Sequence, residues 1–197
     1  MMAQELGVPL TLDVVTDLAS TDPADYGGNP ALRVPTLVVD GAPLFGTDNI
    51  CRRLAELAGR TDDPRVVLAL RGDLARSAQE LVWHAMAAQV TLRVGLHVAA
   101  LPTDNLFFVK ARAGLVGALA WLEHHLDPVL AQLPAPRDVS VLELSLFCLV
   151  EHLAFRPTVP LDALPRLVAF AAHFAERPSA RLTAFEIGAG TRFGPAA

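Results

Sequence analysis

Cysteine is almost missing from this chain. Two occur in 197 residues, Cys51 and Cys148, far apart and each inside a helical pattern. That excludes a disulfide framework and makes a reducing compartment, the cytosol, the expected location. Aromatics amount to 6% with a single tyrosine, Tyr26, so Leu, Val and Ala must fill the interior. Charge is scarce as well: charged residues are 19% of the chain and sum to −5. Lys and Arg are scattered, and without a basic cluster no nucleic-acid partner is expected. No apolar run approaches the roughly 18 residues of a membrane span. The opening residues 1–7 carry neither the basic segment nor the apolar core of a secretory signal, so no leader and no membrane are expected. What remains is apolar, at 52%. That is enough for one generous core or two small ones, and the surplus suits packed helices with a buried interface or a greasy pocket.

The hydrophobic period changes along the chain. Leu10, Leu12 and Val14 alternate with polar neighbours, which predicts a half-buried strand over 10–15. A polar loop follows to Asn29, broken by Pro23 and Gly27-Gly28. Residues 36–39 are a β-branched run, and Asp40-Gly41 predicts a type I′ hairpin into a second strand over 42–45. Pro43 puts that second strand at a sheet edge. Ile50, Leu54 and Leu57 then recur at helical spacing up to Gly59. A polar linker over 60–64 is the expected domain boundary. Beyond it the pattern is helical: 65–101, bent near Gly72 or Gly95, then 105–126, then a loop over 134–138. Ser140 and Glu143 predict a capping box, with Val139 and Leu144 as its hydrophobic staple. A last amphipathic helix is expected over 161–175, and a frayed tail from Gly188.

Four of these places, in order, resemble the glutathione S-transferase family. They are Asn29-Pro30 with Arg33-Val34-Pro35-Thr36-Leu37, then Leu44 to Ile50, the Ser140 box, and Arg177-Pro178-Ser179 with Thr183. Together they run from about residue 6 to residue 183. The resemblance implies an α/β plus all-α chain. An incomplete thioredoxin-like domain would span 1–59, an all-helical C-terminal domain 63–187, and a flexible tail 188–197. It also implies a cis bond before Pro35.

The implied chemistry is the addition of the glutathione thiolate to a small hydrophobic electrophile, with glutathione as co-substrate and no metal. Val34 then corresponds to the residue whose backbone meets the cysteinyl part of glutathione, and Arg33 to a group near the glycyl carboxylate. Thr47 corresponds to the serine at the γ-glutamyl carboxylate, where a helix start favours an anion. Gly46 stands where the family has a glutamate, and Asp48, two residues on, is a substitute for it. Arg33, Val34, Pro35, Gly46, Thr47 and Asp48 are thus the implied glutathione residues. Trp83, Met86 and the neighbouring His84 are candidates for the electrophile pocket. The Tyr, Ser or Cys that stabilises the thiolate in this family has no counterpart here, and the resemblance implies that its segment lies upstream of Met1. The alternative is therefore a non-catalytic relative, a binding or protein-interaction module, with a regulatory factor on the same fold as a third. A homodimer is implied, the first half of each subunit meeting the long helices of the other. The six histidines form no metal pattern: His124 and His125 are adjacent, and Glu80 with His84 reads as an exposed pair. Cys51 and Tyr26 read as structural.

Overall fold

Asp40 and Gly41 both take positive φ, 51° and 79°, which is what a type I′ turn demands of its two central residues. The turn joins β1 (Thr36–Val39) to β2 (Ala42–Phe45), antiparallel, with Thr36 opposite Phe45 and Val39 opposite Ala42. In this computed structural model, which describes residues 1–97 and 99–186, the hairpin leads into α2 (Thr47–Leu57). That helix buries Ile50, Cys51, Leu54 and Ala55. Against it packs a short α1 (Met2–Leu6), closed by Gly7 at φ 68°.

The strand expected over 10–15 is not formed. The segment has no strand partner among the described residues, and Leu12 is 81% exposed. Alternation supplies a face, but a strand also needs a neighbour to take its amides and carbonyls. Among the described residues the sheet partners in this half are β1 and β2, which pair with each other.

The helical remainder begins later than its periodicity suggests. A two-residue strand, β3 (Val66–Val67), precedes it, and Gly72 at φ 87° sets off α3 (Asp73–His97). α3 runs unbroken past Gly95. That glycine makes room for α4 (Leu106–Ala131), because a Cβ there would lie 2.2 Å from the Phe108 ring. Asn105 caps α4 by accepting the Phe107 amide at 2.9 Å, and the helix runs on through Pro128. After the Ala135–Pro136 cis bond, β4 (Val139–Ser140) pairs in parallel with β3. Two-residue strands are too short to show a period, so neither is visible in the sequence.

Next comes α5 (Val141–Phe155), which is apolar on nearly every side. Leu142, Leu149 and Leu153 are wholly buried, and truncating any of them to Ala costs about 2–5 kcal/mol. It is the central helix, packed by α3 and by α6 (Pro165–Phe174). The capping box at its start is not made. Ser140 occupies the N-cap position, but its hydroxyl is buried without a partner among the described residues. Glu143 instead accepts from Arg137 at 2.7 and 2.6 Å. A bidentate guanidinium outcompetes a neutral amide for a carboxylate. α6 takes its cap from a distance: Glu123 of α4 accepts the Arg166 and Leu167 amides, both at 2.9 Å. The chain described here closes with α7 (Pro178–Leu182). The tail expected from Gly188 lies outside the described residues.

Candidate functional site

A cleft of about 910 Å³ lies between the hairpin unit and α3. One wall is the loop before β1. Buried Asn29 builds that loop: its side-chain amide donates to the Arg33 carbonyl at 2.8 Å, and its oxygen accepts the Ala31 amide at 3.0 Å. Arg33 and Val34 both line the cleft, and the Val34–Pro35 bond is cis. Pro35 itself is exposed and is not part of the lining. It drops out of the residues that front the cleft.

The same wall continues into the first turn of α2. Gly46 is the N-cap at φ 87°, and Gly46, Thr47, Asp48 and Asn49 all line the cleft. The first α2 amide bonded back to the cap is that of Ile50, to the Gly46 carbonyl at 3.0 Å. The amides ahead of it are the orphan donors of a helix start. Thr47 lies inside the helix rather than at its cap, and its hydroxyl has no partner among the described residues. Asp48 is held by Arg52, at 2.7 Å from Nε, in a solvent-facing pair. The carboxylate is therefore shared already.

The facing wall is α3. Trp83, Met86, Ala87, Val90 and Val94 present one stripe to the cleft. His152 reaches it from α5. Its Nδ1 is buried and has no hydrogen-bond partner among the described residues. Burial first, then the charges of Arg156 and Arg93, hold the imidazole below its ordinary pKa of 6.5, so it is neutral at pH 7. His84 faces away from this cleft's lining and pairs with Glu80 at 3.2 Å.

Two hydroxyls line the cleft, those of Thr47 and Tyr26. Tyr26 is committed: it is buried, and its hydroxyl donates between the Leu18 and Ser20 carbonyls at 2.9 and 3.1 Å. Cys51 lies in the core, where burial and then Asp48 push its thiol up to about 11. It supplies no thiolate near pH 7. Among the described residues no group of three or more His, Cys, Asp and Glu side chains is arranged to hold a metal. No helix among them is long and apolar enough to cross a membrane. The cleft thus has a polar half, made of a helix start, a free hydroxyl and a guanidinium, and an apolar half along α3.

Residues 1–57 match the family model described as "Glutathione S-transferase, N-terminal domain". The chain has the glutathione S-transferase fold, and its first 57 residues are similar to that family's N-terminal domain. One structure with this fold is a glutathione S-transferase from Methylobacterium radiotolerans in complex with glutathione sulfonate. It aligns with a TM-score of 0.67 at 19% identity, over 93% of this chain and 88% of that one. Another is a glutathione transferase family member from Pseudomonas fluorescens with bound S-(propanoic acid)-glutathione. It aligns with a TM-score of 0.60 at 21% identity, over 80% of this chain and 79% of that one. No curated protein matches the chain.

On this glutathione S-transferase fold, five of the six implied glutathione residues and two of the three pocket candidates, Trp83 and Met86, line a single cleft. The sequence reading did not include Asn49, Ala87, Val90, Val94 or His152. The α3 residues were legible in principle, since they extend the Trp83 and Met86 stripe at helical spacing. His152 was not, because only the packing of α5 brings it there.

Proposed function

We propose that this protein binds glutathione along the Val34 and Thr47 wall and joins its sulfur to a small apolar electrophile held against α3. The observation that carries this is the convergence of Val34, Thr47 and the Trp83–Met86 stripe on one cleft. The Val34 backbone meets the cysteinyl part of the tripeptide, Arg33 stands near the glycyl carboxylate, and the start of α2 with the Thr47 hydroxyl receives the γ-glutamyl carboxylate. In the reaction the thiol proton leaves to solvent. The sulfur then forms a bond to the electrophilic carbon, and the leaving group departs with its electron pair. That both solved relatives above hold glutathione derivatives supports the choice of ligand.

A second reading is a non-catalytic glutathione-binding module. It is favoured by the lining itself, where Thr47 carries the one uncommitted hydroxyl and no thiol is present. Retention on immobilised glutathione tests the binding that both readings share, and Thr47→Val should weaken it about five- to tenfold. A rate assay with a generic aryl halide separates them. Turnover above the solution rate supports conjugation, and retention without turnover supports the module. A homodimer belongs to the same proposal, with exposed Leu106 and Phe107 at the start of α4 as surface to cover. Its test is the solution mass. The cytosolic location rests on two cysteines that are both free.

A further inference from the structure

The loop that fronts the cleft ahead of β1 is organised by one buried side chain. Asn29 is 5% exposed, and its backbone N–H and C=O and both ends of its side-chain amide are all engaged within the loop. Its N–H donates to the Tyr26 carbonyl at 3.3 Å, and its carbonyl accepts the Leu32 amide at 3.0 Å. Its side-chain oxygen accepts the Ala31 amide, and its side-chain nitrogen donates to the Arg33 carbonyl. The Thr36 hydroxyl closes the base of the loop by donating to the Tyr26 carbonyl at 2.7 Å. Held this way, Leu32 takes φ 53°, in the left-handed region that residues with a Cβ rarely adopt.

The bond to Arg33 has a directional consequence. The Arg33–Val34 peptide is trans, and in a planar trans peptide the carbonyl oxygen and the amide hydrogen lie on opposite sides. Turning the Arg33 carbonyl inward to buried Asn29 therefore turns the Val34 N–H outward. That is the side on which Arg33 and Val34 line the cleft, and where Val34 is 54% exposed. Pro35 has no N–H, so the Val34 amide is the last donor of this wall before β1. We propose that Asn29 is a positioning residue for the glutathione site: without touching the ligand, it fixes the Val34 N–H as a preformed donor to the cysteinyl carbonyl. This deepens the proposed function and rests on the tripeptide lying along this wall. A donor fixed before the ligand arrives spares the ordering that binding would otherwise have to supply. Aspartate has the same shape but not the same chemistry. It keeps an oxygen for the Ala31 amide and sets another against the Arg33 carbonyl, where a donor is needed.

The test follows the Arg33–Val34 peptide directly. Labelling with 13C′-arginine and 15N-valine selects the Arg–Val peptides, which include Val34 and, as a control outside the cleft lining, Val66 of β3. Saturating glutathione should move the Val34 amide signal of the full chain and leave that of Val66. Calorimetry should give Asn29→Asp and Asn29→Ala a glutathione Kd about tenfold above that of the unsubstituted chain, with a smaller Val34 shift at saturation. Melting curves and the calorimetric stoichiometry report the folded fraction, so a purely structural role for Asn29 would lower these and leave Kd unchanged. That result overturns the proposal, as does a Val34 signal that bound glutathione does not move. Should Asn29→Ala fail to fold, Asn29→Asp, which keeps the Ala31 bond, decides, and the Val34 signal of the unsubstituted chain needs no variant. A chain that binds no glutathione removes the proposed function and the positioning role together. One that binds it equally well with Asn29 replaced removes the positioning role alone.

Discussion

Glu5 on α1 receives both arms of the Arg177 guanidinium, Nε at 2.8 Å and Nη2 at 2.6 Å, from 172 residues along the chain. The Ser179 hydroxyl donates to the same carboxylate, and Arg177 Nη2 also donates to the Asp138 carbonyl at 2.6 Å. The Arg-Pro-Ser motif therefore acts as a clasp. It joins the start of the chain, the α4–α5 loop and the last helix through one guanidinium.

The clasp predicts a pH-dependent stability. Burial alone would raise the Glu5 pKa, but hydrogen bonds from Arg177 and Ser179, with the Arg177 charge, overbalance it and hold it below the ordinary 4.5. A carboxylate with a depressed folded pKa contributes stability above its unfolded pKa, and that contribution is lost as pH falls through the folded value. Denaturant melts from pH 7 down to pH 3 should therefore show a loss beginning near pH 4.5, and Glu5→Gln should flatten that part of the curve. Arg177→Ala should cost about 2 kcal/mol at pH 7, the scale of a charge-assisted hydrogen bond left unmade. A melt unchanged by Arg177→Ala would mean the clasp carries no stability.

The thiols should be quiet. Burial and then Asp48 raise Cys51 to about 11, and burial raises Cys148 as well. Both are protonated at neutral pH, and the thiol is the unreactive form. Folded protein at pH 7.5 should consume a disulfide reagent far more slowly than unfolded protein, which should release two equivalents at once. Cys51→Ala should leave any conjugation rate unchanged, since its sulfur does not face the cleft. Rapid labelling of Cys51 in the folded chain would contradict its burial.

The hairpin and α2 were legible because their signals are local. Asp40-Gly41 carries its own turn geometry, and Ile50, Leu54 and Leu57 their own face. The segment over 10–15 was misread because alternation says nothing about whether a neighbouring strand exists. The Ser140 box was misread because the rival donor to Glu143 comes from outside the motif, from Arg137 in the preceding loop. The polar wall of the cleft was reached through resemblance, and the apolar wall through helical spacing. His152 was out of reach, since only the packing of α5 brings it to the cleft. The Ser140 difference has a measurable consequence. As a working cap it would cost about 1 kcal/mol to replace by Ala, but its hydroxyl is buried with no partner among the described residues. Ser140→Ala should thus be neutral or mildly stabilising, whereas Glu143→Gln should destabilise by about 1.5–3 kcal/mol through the lost Arg137 pair.

Position 46 decides whether the family's glutamate can simply be restored. Gly46 sits at φ 87° and ψ 131°, a region that side chains with a Cβ rarely adopt. Space is not the obstacle, because an added Cβ would meet only the Asn49 amide nitrogen, at 3.6 Å. The strain is in the backbone, and it falls on the residue that orients the start of α2 toward the cleft. Gly46→Ala and Gly46→Glu should therefore lose similar stability, about 1–3 kcal/mol each, as measured by denaturant melts. Gly46→Glu should bring no gain in retention on immobilised glutathione. A stable Gly46→Glu variant with tighter retention would show that the turn relaxes to accept a side chain, and that the γ-glutamyl amine lacks only its carboxylate.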